Sequence, residues 1–267
     1  MIKTSVMLMN ANGPDGNQRD WVKQLEFWKT LGLEGVDIFH VMLNRYNIPL
    51  KDMKATLDNL GLAPTLYAIP TDLVSPDQEV RAKSLDTVKK GIEACKFLGV
   101  DHLFSHGGQH TNQGEEAFAS YMDGLAKAAD ICADANILFS IENAGKMCNS
   151  GESLARTLKE VNRPNMRVTF DGGNFITCGF EPHDAIQQLK SAVVHVHVKS
   201  HEPAPAGSPR PYKYCPTGVG HPDYRFIRDQ LLSANYDGWF AFEPEGGFDS
   251  DWDRSIRTVA EILAEVR

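Results

Sequence analysis

Ala192-Val193-Val194-His195-Val196-His197-Val198-Lys199 reads as a strand with one apolar and one polar face. Side chains alternate along a strand, so Val194, Val196 and Val198 point one way while His195, His197 and Lys199 point the other. The apolar lead-in Ala192-Val193-Val194 argues for a central strand rather than a solvated edge. Imidazoles on a central strand are costly unless something there needs them. Carboxylates that end other strand-like runs supply that need: Glu142, Asp171 and Glu243.

Outward from this stretch, strands and helices alternate. Downstream lies a long loop, expected at about 201–221, that carries Pro203, Pro205, Pro209, Pro211 and Pro216 with Tyr212-Lys213-Tyr214 and Gly218-Val219-Gly220. A loop of that length in a compact domain is usually functional or mobile. A helix over 222–234 follows, then the strand Gly238-Trp239-Phe240-Ala241-Phe242 with Glu243 at its end, then a closing helix over 252–266. Upstream, the spacing predicts strands over 4–9, 35–39, 64–69, 100–105, 136–141 and 166–170, and helices over 18–31, 49–60, 76–98, 115–135, 153–161 and 182–189. Gly32, Gly61 and Gly99 stand where helices should stop, and turn formers Asn12-Gly13-Pro14-Asp15-Gly16 follow the first strand. Eight strand-then-helix units without a linker are the pattern of an α/β chain folded as a single (β/α)8 barrel over 1–267. The alternative is a doubly wound open sheet, but no Gly-x-Gly-x-x-Gly follows the first strand, as a dinucleotide-binding sheet would want.

The bulk properties agree with an ordinary enzyme-sized protein. At 267 residues and 42% hydrophobic, the chain can bury a large core. A net charge of −8 disfavours nucleic acid, whose binding draws on neutralised phosphates. The scattered Cys95, Cys132, Cys148, Cys178 and Cys215 form no Cys-x-x-Cys pair, which suits a reducing compartment. Met1-Ile2-Lys3 leads straight into a strand-like run and no long apolar segment follows, so a cytoplasmic protein without a membrane partner is expected.

In such a barrel the active site is built at the C-terminal ends of the strands. That rule selects His40, His106, Glu142, Asp171, His197 with Lys199, and Glu243. Three carboxylates and an imidazole converging there would repel unless a cation neutralised them, and one divalent metal resolves the conflict. Oxygen-rich ligation with a single nitrogen suits Mn2+, Mg2+ or Co2+, with Zn2+ also compatible. His106 before Gly107-Gly108 is a candidate to donate to a substrate hydroxyl, and Lys199 to face substrate oxygens or brace a ligand carboxylate. His195 reads as a satisfied barrel histidine and Glu245 as a rim charge.

Glu142 in Ile-Glu-Asn, Asp171 in Phe-Asp-Gly-Gly-Asn, His197 in His-Val-His-Val-Lys and Glu243 in Phe-Glu-Pro-Glu together resemble the xylose isomerase-like TIM-barrel superfamily of sugar isomerases and epimerases. Tyr236-Asp237-Gly238-Trp239 before the last strand adds to the resemblance, which covers essentially the whole chain. It implies that Glu142, Asp171, His197 and Glu243 ligate one metal ion, usually manganese, and that Glu142 and Glu243 also move protons. Ketose 3-epimerases, hydroxypyruvate isomerases and inosose dehydratases share this frame. Endonuclease IV is similar in fold but places a histidine three residues after the aspartate, where this chain has Asn174, and no Asp-x-His pair stands between His197 and Glu243. Ketose 3-epimerases commonly place a substrate-binding histidine at that position too, so Asn174 is the candidate there.

The expected chemistry is therefore proton abstraction next to a carbonyl, through a metal-bound enediolate, on a small sugar or polyol-derived ketone. Delivery of the proton to the opposite face gives epimerisation, and delivery to the neighbouring carbon gives isomerisation. A dehydratase on the same site, or a non-catalytic sugar-binding barrel, are the alternatives, and a homo-oligomer is compatible with either.

Overall fold

Each short apolar run becomes a strand, and the interval that follows it becomes helix. The computed structural model describes residues 1–8, 20–106, 114–245 and 249–266; the turn cluster at 12–16 and Gly107-Gly108 lie outside the described residues. The strands are β1 (Lys3–Met7), β2 (Gly35–Phe39), β3 (Ala63–Ala68), β4 (His102–His106), β5 (Leu138–Glu142), β6 (Met166–Asp171), β7 (Val193–Val198), β8 (Ser200–Pro203), β9 (Tyr212–Cys215) and β10 (Trp239–Phe242). Helices α1 (Trp21–Thr30), α2 (His40–Arg45), α3 (Leu50–Leu60), α4 (Gln78–Leu98) and α5 (Glu115–Ala133) accompany the first half of the barrel. In the second half come α6 (Gly151–Val161), α7 (Gly172–Thr177), α8 (Pro182–Leu189), α9 (Tyr224–Leu232) and α10 (Asp249–Ala264). Eight strands close a barrel in the order β1-β10-β7-β6-β5-β4-β3-β2, every neighbouring pair parallel. The expected (β/α)8 barrel is the fold. No described helix is long and apolar enough to cross a membrane.

The two faces of the strands do different work. Outward residues such as Val36, Ile38, Phe139, Val168, Val196 and Val198 pack with Leu25, Leu57, Val88, Leu154 and Ile227 of the helices into one continuous apolar layer. The barrel's inner lining is split. Met7, Phe39, Leu66, Ala68 and Phe104 form an apolar cluster on β1 to β4, while Asp37, His102, Glu142, Asp171, His195 and His197 are buried polar groups of the barrel strands. The sequence's reading of β7 holds past the start of the strand: Val196 and Val198 join the apolar layer and His195 and His197 are fully buried, while Val194 is half-buried and Val193 takes its place in the layer.

Local signals account for where helices start and stop. Asp20, Asp77 and Asp223 accept backbone N–H groups at the starts of α1, α4 and α9, and Ser150 closes a capping box on α6. Gly61 and Gly99 end α3 and α4 in the left-handed region that a side chain would resist.

Three features depart from the expected layout. Short helices α2 and α7 follow β2 and β6 directly, and α6 starts at Gly151 rather than 153. The stretch 201–221 is not plain loop, because β8 and β9 pair antiparallel from Ser200↔Cys215 to Pro203↔Tyr212. Prolines hid this hairpin from a pattern reading, yet Pro205, Pro209 and Pro211 fall in the turn between the strands, where no ladder N–H is needed.

Candidate metal centre

Four adjacent barrel strands each deliver one polar side chain to the same place. Glu142 and Asp171 are the last residues of β5 and β6, His197 is the penultimate residue of β7, and Glu243 follows β10. Register aligns them: Asp171 lies beside His197, which lies beside Ala241, two residues before Glu243. All four are buried, and one ligand-type atom from each lies within 4.8 Å of the others. The oxygens Asp171 Oδ2 and Glu243 Oε2 are buried and make no well-formed hydrogen bond among the described residues, and the cation beside both is the Lys199 ammonium. Three buried carboxylates are answered there by one ammonium and one imidazole, and a divalent cation among them would stabilise the crowded negative charge further. Three carboxylates with one imidazole therefore fit a divalent metal that prefers oxygen donors.

Lys199 is part of the same arrangement. Its Nζ lies 3.1 Å from Asp171 Oδ2, 3.0 Å from Glu243 Oε2 and 3.4 Å from Glu245 Oε2, and the side chain is 3% exposed. Gly173 permits this, since a Cβ there would meet Lys199 Cγ at 2.6 Å.

Behind the cluster sits Asp37, in the middle of β2 and fully buried. Its Oδ2 accepts from His195 Nε2 at 2.8 Å and lies 3.3 Å from His197 Nε2; its Oδ1 accepts from Ser5 Oγ at 3.3 Å and from the Thr65 hydroxyl. The other nitrogen of His197, Nδ1, faces Glu142 Oε1 at 2.5 Å. Asp37, His195 and His197 also place three ligand-type atoms within 4.8 Å of one another, but the direct Asp37–His195 bond makes them a hydrogen-bonded support.

Charges set the protonation of these groups. Burial alone would raise Asp37, yet His195 and His197 hold it well below the usual carboxylate range. Burial would lower His197, but Glu142 and Asp37 outweigh it and push the imidazole up to about 10. Glu142 is likewise held far below its ordinary value, His197 and His106 overcoming its burial. Glu243 goes the other way: burial, with repulsion from Asp171, Glu142 and Glu245, raises it well above that value despite Lys199. Deeper in the barrel, His102 donates to or accepts from Ser140 Oγ at 2.6 Å and is lowered to about 3 by burial.

The remaining expected residues fall around the cluster. His106 Nδ1 lies 3.3 Å from Glu142 Oε2. The Asn174 backbone N–H donates to Asp171 Oδ1 at 2.9 Å, and Asn174 lines a neighbouring cavity of about 930 Å3. His195 binds Asp37 and not the cluster, in keeping with a structural histidine. His40 is elsewhere, bonded to Tyr67 Oη at 2.8 Å and Asn44. Asp37 was missed because it ends no strand; its signal was a lone acid within the apolar run Gly35-Val36-Asp37-Ile38-Phe39.

Known proteins share this fold. L-ribulose-5-phosphate 3-epimerase UlaE of Shigella flexneri is 23% identical over 239 residues, which is 84% of this chain and 81% of that protein. Among solved structures, the probable 3-DHS dehydratase AsbF of Bacillus anthracis superposes with a TM-score of 0.76 at 17% identity, over 100% of both chains. D-psicose 3-epimerase of Clostridium cellulolyticum, solved with D-tagatose, gives 0.77 at 16% identity over 99% of both. At such identities these structures attest the fold alone. A family model described as xylose isomerase-like TIM barrel matches residues 25–266, and the chain belongs to that family.

Proposed function

We propose that this chain is a divalent-metal-dependent sugar isomerase or epimerase, acting on a small sugar or polyol-derived ketone by removing a proton next to its carbonyl. The observation that supports it best is the meeting of Glu142, Asp171, His197 and Glu243 at adjacent strand ends, with two glutamates of opposite protonation tendency. Those four residues would hold the ion, manganese first, with magnesium, cobalt or zinc as alternatives. When bound, such an ion supplies Lewis-acid polarisation of the carbonyl and the neighbouring hydroxyl. The protein supplies the proton chemistry. Glu142, whose proton affinity is lowered by His197 and His106, has the tendency of a base, and Glu243, whose proton affinity is raised by burial and the neighbouring carboxylates, has the tendency of an acid. His106 and Lys199 stand beside them with N–H groups for substrate oxygens.

A second reading, a dehydratase, draws on Lys199. A buried ammonium 3.0 Å from Glu243 stands where a leaving β-hydroxyl would need a hydrogen-bond partner, with Asp171, Glu243 and Glu245 holding its charge in place. The acidic balance of −8 argues against nucleic acid as substrate, and the free cysteines accord with a cytoplasmic setting.

Incubation of the manganese-loaded protein in D2O with ketoses, inososes and hydroxypyruvate, followed by NMR, tests all of this. Deuterium next to the carbonyl is the expected result, and the product separates epimerase, isomerase and dehydratase. No exchange with any substrate, together with sugar-dependent stabilisation, would leave a sugar-binding barrel instead.

A further inference from the structure

The cavity beside the cluster has a chemistry of its own. Asn174 and Thr177 of α7 line one side, and His201, Arg210 and Lys213 of the β8–β9 segment line the other, with Glu245 on the side of Lys199. Its volume of about 930 Å3 lies near the top of the range for small-molecule sites, roughly 300–1,000 Å3, so it accommodates much more than the reacting carbons. The hairpin wall is already shaped by its backbone pairing and by the prolines of its turn, so binding there needs little ordering.

Charge bookkeeping in the lining leaves one group unanswered. Glu245 faces Lys199 Nζ at 3.4 Å, and Lys213 faces Glu202 Oε1 at 2.8 Å. Arg210, held between Pro209 and Pro211, makes no ion pair with any described residue. In the inner wall His201 is 6% exposed and its Nδ1 is buried without a hydrogen-bond partner. The exposed Arg210 guanidinium is thus the cation of this wall that no described carboxylate answers, while the His201 Nδ1 faces Gly173 of α7. In a chain of net charge −8, a free guanidinium in a cavity wall is a local exception to the overall field. Its planar fork of N–H donors matches the oxygens of a phosphate or a carboxylate.

We propose that this cavity binds an anionic oxygen group, a phosphate monoester or a carboxylate, at the non-reacting end of the sugar-derived ketone, with Arg210 as its partner. The proposal rests on the reading above for what reacts at the cluster, but its binding test does not depend on turnover. Isothermal titration of the full chain, with and without manganese, uses D-fructose, D-fructose 6-phosphate and D-fructuronate, which differ only at one end, and inorganic phosphate, which needs no sugar match. At least one anion is expected to bind about tenfold or more tighter than fructose, the size of a hydrogen bond to a charged group. Arg210→Gln abolishes that advantage and leaves fructose unchanged, while Arg210→Lys restores part of it. Preference for fructose 6-phosphate and phosphate, or for fructuronate, names the source of the anion. Equal affinity for all four probes, or an anion preference that survives Arg210→Gln, overturns the proposal. An Arg210-dependent preference without deuterium exchange would instead uphold this site and reject the catalytic reading.

Discussion

Asp37 holds two buried imidazoles in place from across the barrel, and its removal should be felt at the candidate metal centre although it touches no candidate ligand except His197. Its carboxylate lies 3.3 Å from His197 Nε2 and favours a proton there, and the other nitrogen, Nδ1, faces Glu142. Asp37→Asn keeps the shape and removes the charge, and should weaken manganese binding by about 10- to 100-fold, read by electron paramagnetic resonance of free Mn2+; an unchanged affinity would remove Asp37 from that role. Glu243 is tested more directly. Glu243→Gln is isosteric, so deuterium exchange should be lost while the fold and most manganese binding persist, and full activity would sink the proton-transfer role. His102 carries a pH signature. Burial and the neighbouring His195 and His197 lower it to about 3, and Asp37 opposes them without prevailing. The unfolded chain therefore takes up a proton near pH 6.5 that the folded chain refuses, so stability falls as pH drops from about 6.5 to about 3, with a slope of up to ~1.4 kcal/mol per pH unit. His102→Gln should flatten that part of the stability profile in urea titrations, and an identical profile would mean that His102 titrates normally in the fold.

The elements differ in how openly the sequence displayed them. Barrel strands were legible because burial on both faces produces apolar runs, and because polar residues were permitted only where they meet other polar residues inside the barrel. The site residues Glu142, Asp171 and Glu243 were legible because each interrupts such a run at its end. The β8–β9 hairpin and helix α7 were not, since four-residue strands and a six-residue helix have too few periods to stand out. Helix α7 nonetheless positions Lys199. A Cβ on Gly173 would lie 2.6 Å from Lys199 Cγ and 3.0 Å from Lys199 O, and the second of these is backbone that yields little. Gly173→Ala should therefore cost about 1–3 kcal/mol and separate Lys199 from Asp171. Urea unfolding measures the first effect and loss of exchange activity the second; a variant as stable as the parent would show that the contact relaxes freely.

At the scale of the whole molecule, the barrel's closure is what gathers the site. Glu142, Asp171, His197 and Glu243 are dispersed over a hundred residues of sequence and become neighbours only when β5, β6, β7 and β10 stand side by side. An unfolded chain offers them as separate weak ligands. A metal that binds the folded state alone stabilises it by RT ln(1 + [metal]/Kd), about 2.7 kcal/mol at a hundredfold excess over Kd. For a chain of this size that corresponds to a rise in Tm of roughly 5–10 °C. Lys199 already neutralises part of the charge on Asp171 and Glu243, so the metal-free barrel should remain folded rather than collapse on chelation. Manganese should then raise Tm less in Asp171→Asn than in the parent, because one charged ligand is lost and the fold's charge repulsion is relieved. That contrast separates a metal held by the cluster from one bound loosely at the surface, because only the former depends on a carboxylate buried at the end of β6. Equal shifts in parent and variant would detach the metal from this site, and with it the proton chemistry assigned to Glu142 and Glu243.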